Sequence, residues 1–122
     1  MVVAAAAPQL SLQCETIAGD TSTIRSLDWD RSRFDIEFGL RNGTTYNAFL
    51  VRGERTALID TSHSKFRDTW IPLLKEQIQP TAIDVLIVSH TEPDHSGLIG
   101  DLLDLNPDIE IVGSKVALQF LQ

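Results

Sequence analysis

The sequence predicts an α/β (α+β) fold in which antiparallel hairpins come first and a β-α-β-α-β-α alternation follows. Between residues 34 and 60, short apolar runs alternate with polar residues and are separated by turn signals, which is typical of strands. Beyond residue 64 the apolar residues follow the helical period, and a buried β-branched strand intervenes. With 122 residues, of which 43% are apolar, the chain is expected to form one small domain.

The hairpin half follows a stretch without clear periodicity. Residues 1–22 are therefore predicted to be a flexible leader, and residues 23–122 the domain. Phe34 to Leu40 alternates between apolar and polar residues and predicts a strand with one buried face. Asn42-Gly43 predicts a hairpin turn, because both residues tolerate positive φ. Two further strands complete the predicted antiparallel sheet: Tyr46 to Val51 and Thr56 to Asp60.

The alternating half starts with a helix that is predicted from Phe66 to Ile78 and ends before Pro80. Trp70 lies on its apolar side and is expected in the core. Pro72 either kinks this helix or marks its first turn. The remaining predicted elements are a buried strand over 84–89, a helix over 98–105, a strand over 109–112 and a last helix capped by Ser114.

Four metal-capable side chains follow the strand over 84–89 within six residues: His90, Glu92, Asp94 and His95. Crowded charges at the end of a buried strand are unfavourable unless a cation lies among them. An extended loop would place His90, Glu92 and Asp94 on one side, and His95 would follow from a turn. Pro93 and Gly97 are expected to keep the segment from becoming helical before Ser96. The alternative is a solvated polar loop. The density of donors favours a metal site.

The donor types narrow the choice of metal. Imidazole and carboxylate without thiolate suit iron, manganese or zinc rather than a closed structural zinc site. Four donors on one short loop are more than one ion can readily share. The predicted division is therefore a pair of metals, with His90 and Glu92 on one and Asp94 and His95 on the other.

His-x-Glu-x-Asp-His after a hydrophobic strand resembles the signature of the metallo-β-lactamase superfamily, with Glu92 where its hydrolases carry a second histidine. The glutamate form is similar to the flavodiiron proteins (A-type flavoproteins) of the cyanobacterial type. The similarity runs from about residue 20 to the end of the chain and includes residues 26–30, 34–40, 42–47 and 58–63. It implies the amino-terminal half of a metallo-β-lactamase-like αββα sandwich, in a chain that is expected to be truncated.

The resemblance also implies a function for the longer protein. Flavodiiron proteins reduce dioxygen to water, or reduce nitric oxide, at a non-haem centre of two irons. Their electrons come from NAD(P)H through FMN, which would bind outside these 122 residues. The family pairs head to tail, so a homo- or heterodimer is expected. Two further histidines and a bridging aspartate are expected later in the chain.

Two other residues are candidates for the same site. Asp60 ends a strand where the superfamily has an aspartate, and it could orient a ligand imidazole through its second ring nitrogen. The alternative for Asp60 is a simple strand-ending turn. His63 could approach the metals, although a surface position or a place behind the ligands is favoured.

Composition and chemistry leave two other functional classes open. A net charge of −7 argues against nucleic-acid binding, and Cys14 alone cannot form an internal disulfide. No membrane segment is evident, so a cytoplasmic protein is expected. The first alternative is a binuclear metal-dependent hydrolase of the same fold. The second is a catalytically silent truncated chain, because two donors per metal hold an ion weakly.

Overall fold

A computed structural model describes residues 10–34 and 38–122, and its largest element is a six-stranded mixed sheet. The strands in chain order are β1 (Leu10–Ala18), β2 (Thr21–Asp28), β3 (Arg33–Phe34), β4 (Phe38–Gly39), β5 (Thr44–Val51), β6 (Ala57–Ile59), β7 (Val85–Val88) and β8 (Glu110–Gly113). The sheet order is β1-β2-β5-β6-β7-β8. The first four of these strands pair antiparallel, and β6, β7 and β8 pair parallel.

Four helices join and flank the parallel strands: α1 (Arg67–Gln77), α2 (Pro93–Ser96), α3 (Ile99–Leu105) and α4 (Lys115–Phe120). The order of elements confirms the predicted fold class, with antiparallel strands followed by β-α-β-α-β-α. Ser114 caps α4 as expected, since its Oγ accepts a hydrogen bond from the Ala117 amide at 3.1 Å. Among the helices described, none is long and apolar enough to cross a membrane.

The core lies between the sheet and the helices that cross over it. Trp70 is completely buried, which confirms its predicted core role, and Leu86 and Val88 of β7 meet the same cluster. Val85 and Ile87 on the other face of β7 are only half-buried, so this strand is less enclosed than predicted. Pro72 lies in the middle of α1, so the alternative that it marks the first turn is wrong.

The structure corrects the predicted leader over residues 1–22. β1 and most of the β1–β2 hairpin lie within that range, from Leu10 onward. Leu10, Leu12 and Cys14 alternate toward the core with polar residues between them, but this alternation is short and is lost beyond Cys14. Residues 1–9 lie outside the described residues.

The predicted strand over Phe34 to Leu40 is also corrected. The described residues there form the two-residue strands β3 and β4, which pair with each other, and residues 35–37 lie outside the described residues. β5 pairs with β2 and β6 instead of with this segment. Gly43 does adopt positive φ (72°), and a side chain there would collide with the Asp28 backbone. The connection from β5 to β6 includes Arg52 to Glu54.

The carboxyl ends of β6 and β7 lie side by side, because the two strands are parallel neighbours. Asp60 follows β6, and the segment with the four predicted ligands follows β7. Gly97 then brings this segment against the chain after β6. A Cβ at Gly97 would lie 2.6 Å from the Pro93 carbonyl oxygen and 2.7 Å from both the Ser62 carbonyl oxygen and the Ser64 amide nitrogen.

Gly97→Ala is expected to lower the free energy of unfolding by about 2 kcal/mol, because the three contacting atoms belong to the backbone and cannot rotate away. Gly100→Ala is the matched control. Nothing lies within 4 Å of its Cβ position, and Gly100 is within α3, so alanine should stabilise by about 0.5–1 kcal/mol. Urea unfolding of both variants measures the difference. Equal effects would show that residue 97 has room for a methyl group.

Candidate metal site

Asp60 joins the ends of the two parallel strands. Its amide donates to the Ile87 carbonyl oxygen at 2.9 Å, and its φ of 62° lies in the left-handed region that aspartate tolerates. The buried carboxylate then faces the end of β7. Its Oδ1 accepts the Ser89 amide at 2.8 Å, and its Oδ2 accepts the Ser89 hydroxyl. The carboxylate is therefore held at both oxygens.

The predicted extended loop is wrong from Pro93 onward. Pro93 is the first residue of α2, a single helical turn, because its fixed φ is compatible with that position and its missing N–H is not needed there. The His95 amide donates to the Glu92 carbonyl oxygen at 2.9 Å, and the Ser96 hydroxyl donates to the Thr91 carbonyl oxygen at 2.8 Å. Asp94 therefore lies on the same helical turn as His95, whereas the sequence predicted an extended Asp94 and a turn only at His95.

Asp60 contacts the imidazole of His95, as expected for a carboxylate that orients a ring. The ring Nδ1 lies 3.1 Å from Asp60 Oδ2, and a carboxylate can only accept, so Nδ1 carries the proton. In the tautomer with a proton on Nδ1 alone, the lone pair is on Nε2, which lies 3.6 Å from Asp94 Oδ2. The Thr61 hydroxyl and amide both donate to the His95 carbonyl oxygen, at 2.7 and 2.8 Å. Both ring and backbone of His95 are thereby oriented.

His90 and Glu92 form the second pair and are more exposed. His90 Nε2 lies 3.3 Å from Glu92 Oε1, and the two side chains are 55% and 49% exposed. The Glu92 amide donates to His90 Nδ1 at 3.1 Å, which places the proton of the neutral ring on Nε2. A metal could use this Nε2 only after the proton had moved. The imidazole rings of His90 and His95 stack with their centroids 5.6 Å apart.

The structure places the four predicted ligands as two close pairs, His90 with Glu92 and Asp94 with His95. The division of these residues between two metals stays a prediction. Imidazole nitrogen and carboxylate oxygen fit iron, manganese or zinc. Within residues 10–34 and 38–122, no three His, Cys, Asp or Glu side chains converge as a group that could hold an ion. The donor set fits a metal pair in its chemistry but supplies only two protein donors to each ion.

His63 lies beside these pairs and not among them. Its ring stacks on Tyr46 with centroids 6.2 Å apart, and its Nδ1 accepts the Lys65 amide at 3.2 Å. Burial, and then the positive charges of Lys65 and Arg31, lower the pKa of His63 below its ordinary value. A neutral ring at pH 7 follows. His63 is part of the wall of a cavity of about 280 Å³. This cavity is lined by Arg31, His63, Lys65, Glu92, Pro93 and Asp94.

A polar network around Asp28 and Tyr46 contacts Arg31 and Lys65, which line this cavity. The Tyr46 hydroxyl donates to Asp28 Oδ2 at 2.7 Å and accepts from Arg31 Nη1 at 3.0 Å. Lys65 Nζ forms an ion pair with the same carboxylate oxygen of Asp28, whose side chain is fully buried. Burial and the Asp28 carboxylate together raise the pKa of Tyr46 to about 12, so Tyr46 stays a phenol.

The pKa of Asp28 is lowered although burial acts to raise it. Hydrogen bonds from Lys65 and Tyr46 outweigh the cost of burial. Asp28 is therefore ionised at neutral pH and fixes Lys65 in place. The sequence reasoning missed this network. Its only signal was that Asp28 and Tyr46 lie in segments that carry the family resemblance.

Comparisons with known proteins agree with this geometry. The sequence profile of the metallo-beta-lactamase superfamily matches residues 41–121. A putative diflavin flavoprotein A 3 from Nostoc sp. is 63% identical over 114 residues, which are 93% of this chain and 20% of that protein. The chain thus spans about a fifth of the length of this curated relative.

Solved structures agree as well. A mutant flavo di-iron protein from Thermotoga maritima matches with a TM-score of 0.85 and 29% identity, over 93% of this chain and 29% of that one. Rubredoxin oxygen:oxidoreductase from Desulfovibrio gigas matches with a TM-score of 0.81 and 28% identity, over 89% and 27%. Together with the match to the Nostoc protein, these matches confirm the resemblance to flavodiiron proteins of the cyanobacterial type. By profile and by fold, the chain belongs to the metallo-beta-lactamase superfamily.

Proposed function

We propose that this chain supplies the first ligands of a non-haem diiron centre in a flavodiiron oxidoreductase that reduces dioxygen to water, or reduces nitric oxide. The observation that carries the proposal is the two donor pairs, His90 with Glu92 and Asp94 with His95, at the end of β7. Glu92, in place of a second histidine, favours this function over that of a hydrolase. The names of the similar proteins from Nostoc, Thermotoga and Desulfovibrio support the same choice.

In this proposal the described residues hold the metal ligands in position. Asp60 fixes His95 with Nε2 available, and Ser89 and Thr61 hold Asp60 and the His95 backbone. When bound, a pair of ferrous ions would supply positive charge and two electrons, and the further two electrons that reduction of dioxygen to water requires would come through the flavin. His90 and Glu92 need a proton shift before they can act together.

The rest of the proposed protein follows from the family. FMN and NAD(P)H would bind in further domains, and a head-to-tail homo- or heterodimer would bring a flavin to the iron of the partner subunit. The domain over residues 23–122, extended by the structure to Leu10, would be the amino-terminal part of the diiron domain. A cytoplasmic location is part of the same proposal.

Titration of the 122-residue chain with Zn²⁺ tests whether the pairs bind metal. Zn²⁺ is used because it is redox-silent and accepts the same donors. We expect weak binding whose tighter step uses Asp94 and His95, because this pair is already oriented. His95→Ala should weaken the tighter step by more than about tenfold, since even loss of an orienting partner costs about that much. His90→Ala should leave that step nearly unchanged. Equal losses would contradict the proposed order.

Asp60→Asn is expected to weaken the same tighter step by about tenfold, because the amide cannot hold the Nδ1 proton of His95 as a carboxylate does. Asp84→Asn is a matched control. Asp84 lies beyond the opposite end of β7, where its Oδ2 accepts the Thr56 amide at 2.7 Å. Calorimetric titration with Zn²⁺ measures both. Unchanged affinity in Asp60→Asn would remove Asp60 from the site.

The isolated chain is expected to be catalytically silent, because two protein donors per ion hold iron weakly. An oxygen electrode should record no more dioxygen uptake with chain, Fe²⁺ and reductant than with Fe²⁺ and reductant alone. The double variant His90→Ala with His95→Ala is the control. Steady turnover that this control lacks would show that the four ligands suffice for activity.

A further inference from the structure

A second cavity adjoins the predicted ligands, where α2 contacts β5. Its volume is about 420 Å³, and Asp94 and His95 line it together with Thr45, Asn47 and Phe49 of β5. Successive side chains of a strand point to opposite faces, so these three β5 residues share one face, while the residues between them belong to the buried core. The face of β5 that does not serve the core therefore meets the predicted metal site.

The charges of this second cavity fit a metal and a small uncharged ligand. Among the described residues that line it are two carboxylates, Asp60 and Asp94, and no lysine or arginine. Without a metal the lining is therefore negative and repels anions. A divalent cation held by Asp94 and His95 would balance the two carboxylates and leave the lining close to neutral. Such a cavity suits ligands that enter uncharged, as dioxygen and nitric oxide do.

Asn47 is half-buried in this lining, and its carboxamide carries two N–H donors. Its Nδ2 lies 3.5 Å from Thr45 Oγ1, which is at the limit of hydrogen-bonding distance, so this contact engages one N–H at most, and weakly. A donor in such a position gains from a ligand that accepts its N–H. Phe49 adds an apolar surface, so polar recognition by the β5 side of the cavity depends on Asn47 and Thr45.

We propose that Asn47 donates a hydrogen bond to a small ligand of the metal that Asp94 and His95 hold, and that it is thereby a substrate-binding residue of the proposed reductase. The inference rests on the proposed function, because it needs the metal. It goes further by assigning a residue outside the ligand segment and a class of ligand. That class comprises molecules of two or three atoms in which an atom that does not bind the metal can accept a hydrogen bond.

The test uses the 122-residue chain saturated with Co²⁺, and azide as the probe. Co²⁺ takes the same imidazole and carboxylate donors, and its visible absorption reports both its own binding and that of azide. Asn47→Leu keeps the size of the side chain and removes its donors. It should weaken azide binding by about tenfold, because one hydrogen bond to the ligand is lost, and should leave the Co²⁺ affinity unchanged. Asn47→Asp should weaken azide binding further, because a carboxylate repels the anion.

Gln13→Leu is the matched control. It makes the same change from carboxamide to leucine on the same face of the sheet, because Gln13 pairs with Arg25 and Arg25 pairs with Asn47. Gln13 is exposed and lies outside the cavity lining. Its replacement should change neither the Co²⁺ affinity nor the azide affinity.

The separation of the two affinities distinguishes a ligand contact from a structural role of Asn47. If Co²⁺ does not bind to the chain, both the proposed function and this inference are overturned. If Co²⁺ binds but azide does not, or if azide binds equally to Asn47→Leu, the function stands and the role of Asn47 is overturned. Joint loss of Co²⁺ and azide binding in Asn47→Leu would also overturn that role, because Asn47 would then support the shape of the site.

Discussion

The Asp60 carboxylate is the interaction on which the rest of the site depends. It lies where two parallel strands end, and its positive φ turns it across to β7 and α2. Asp60 therefore links the pairing of β6 and β7 to the orientation of the His95 imidazole. Because an αL aspartate is mildly strained, the fold must hold it by its hydrogen bonds to Ser89 and His95. Sheet and site are thus parts of one hydrogen-bonded unit.

The two halves of the predicted metal pair differ in how far the fold prepares them. Asp94 and His95 are largely withdrawn from water, with 8% and 32% of their side chains exposed, and His95 has its proton on the nitrogen that Asp60 holds. The side chains of His90 and Glu92 are exposed. His90 Nε2 contacts Glu92 Oε1 and the Glu92 amide donates to His90 Nδ1, and a metal would have to replace the first of these contacts. This asymmetry follows from position, since one pair lies on a helical turn buttressed by Thr61 and the other on the exposed approach to it.

The sequence was informative where chemistry and periodicity coincided. The donors after β7, the crossover helices and the role of Trp70 could be predicted because short-range patterns determine them. The β1 strand was missed because its apolar and polar residues alternate only from Leu10 to Cys14, and the alternation is lost over the rest of the strand. The helical turn at Pro93 was missed because proline was treated as a breaker and not as a first helical residue. The Asp28, Tyr46, Arg31 and Lys65 network was missed because its members are brought together only by the long-range strand register.

The Asp60–His95 hydrogen bond has a consequence for the time course of folding. It joins residues 35 apart, and the segment between them contains only one crossover from β6 to β7. The entropy of closing a loop of this length is modest, and neither β1 nor β2 is needed to close it. The better oriented half of the site can therefore assemble as a local unit, because its contacts span a shorter stretch of chain than those with β1 and β2. A metal arriving once this unit has formed would meet the same imidazole and carboxylate that the finished fold presents.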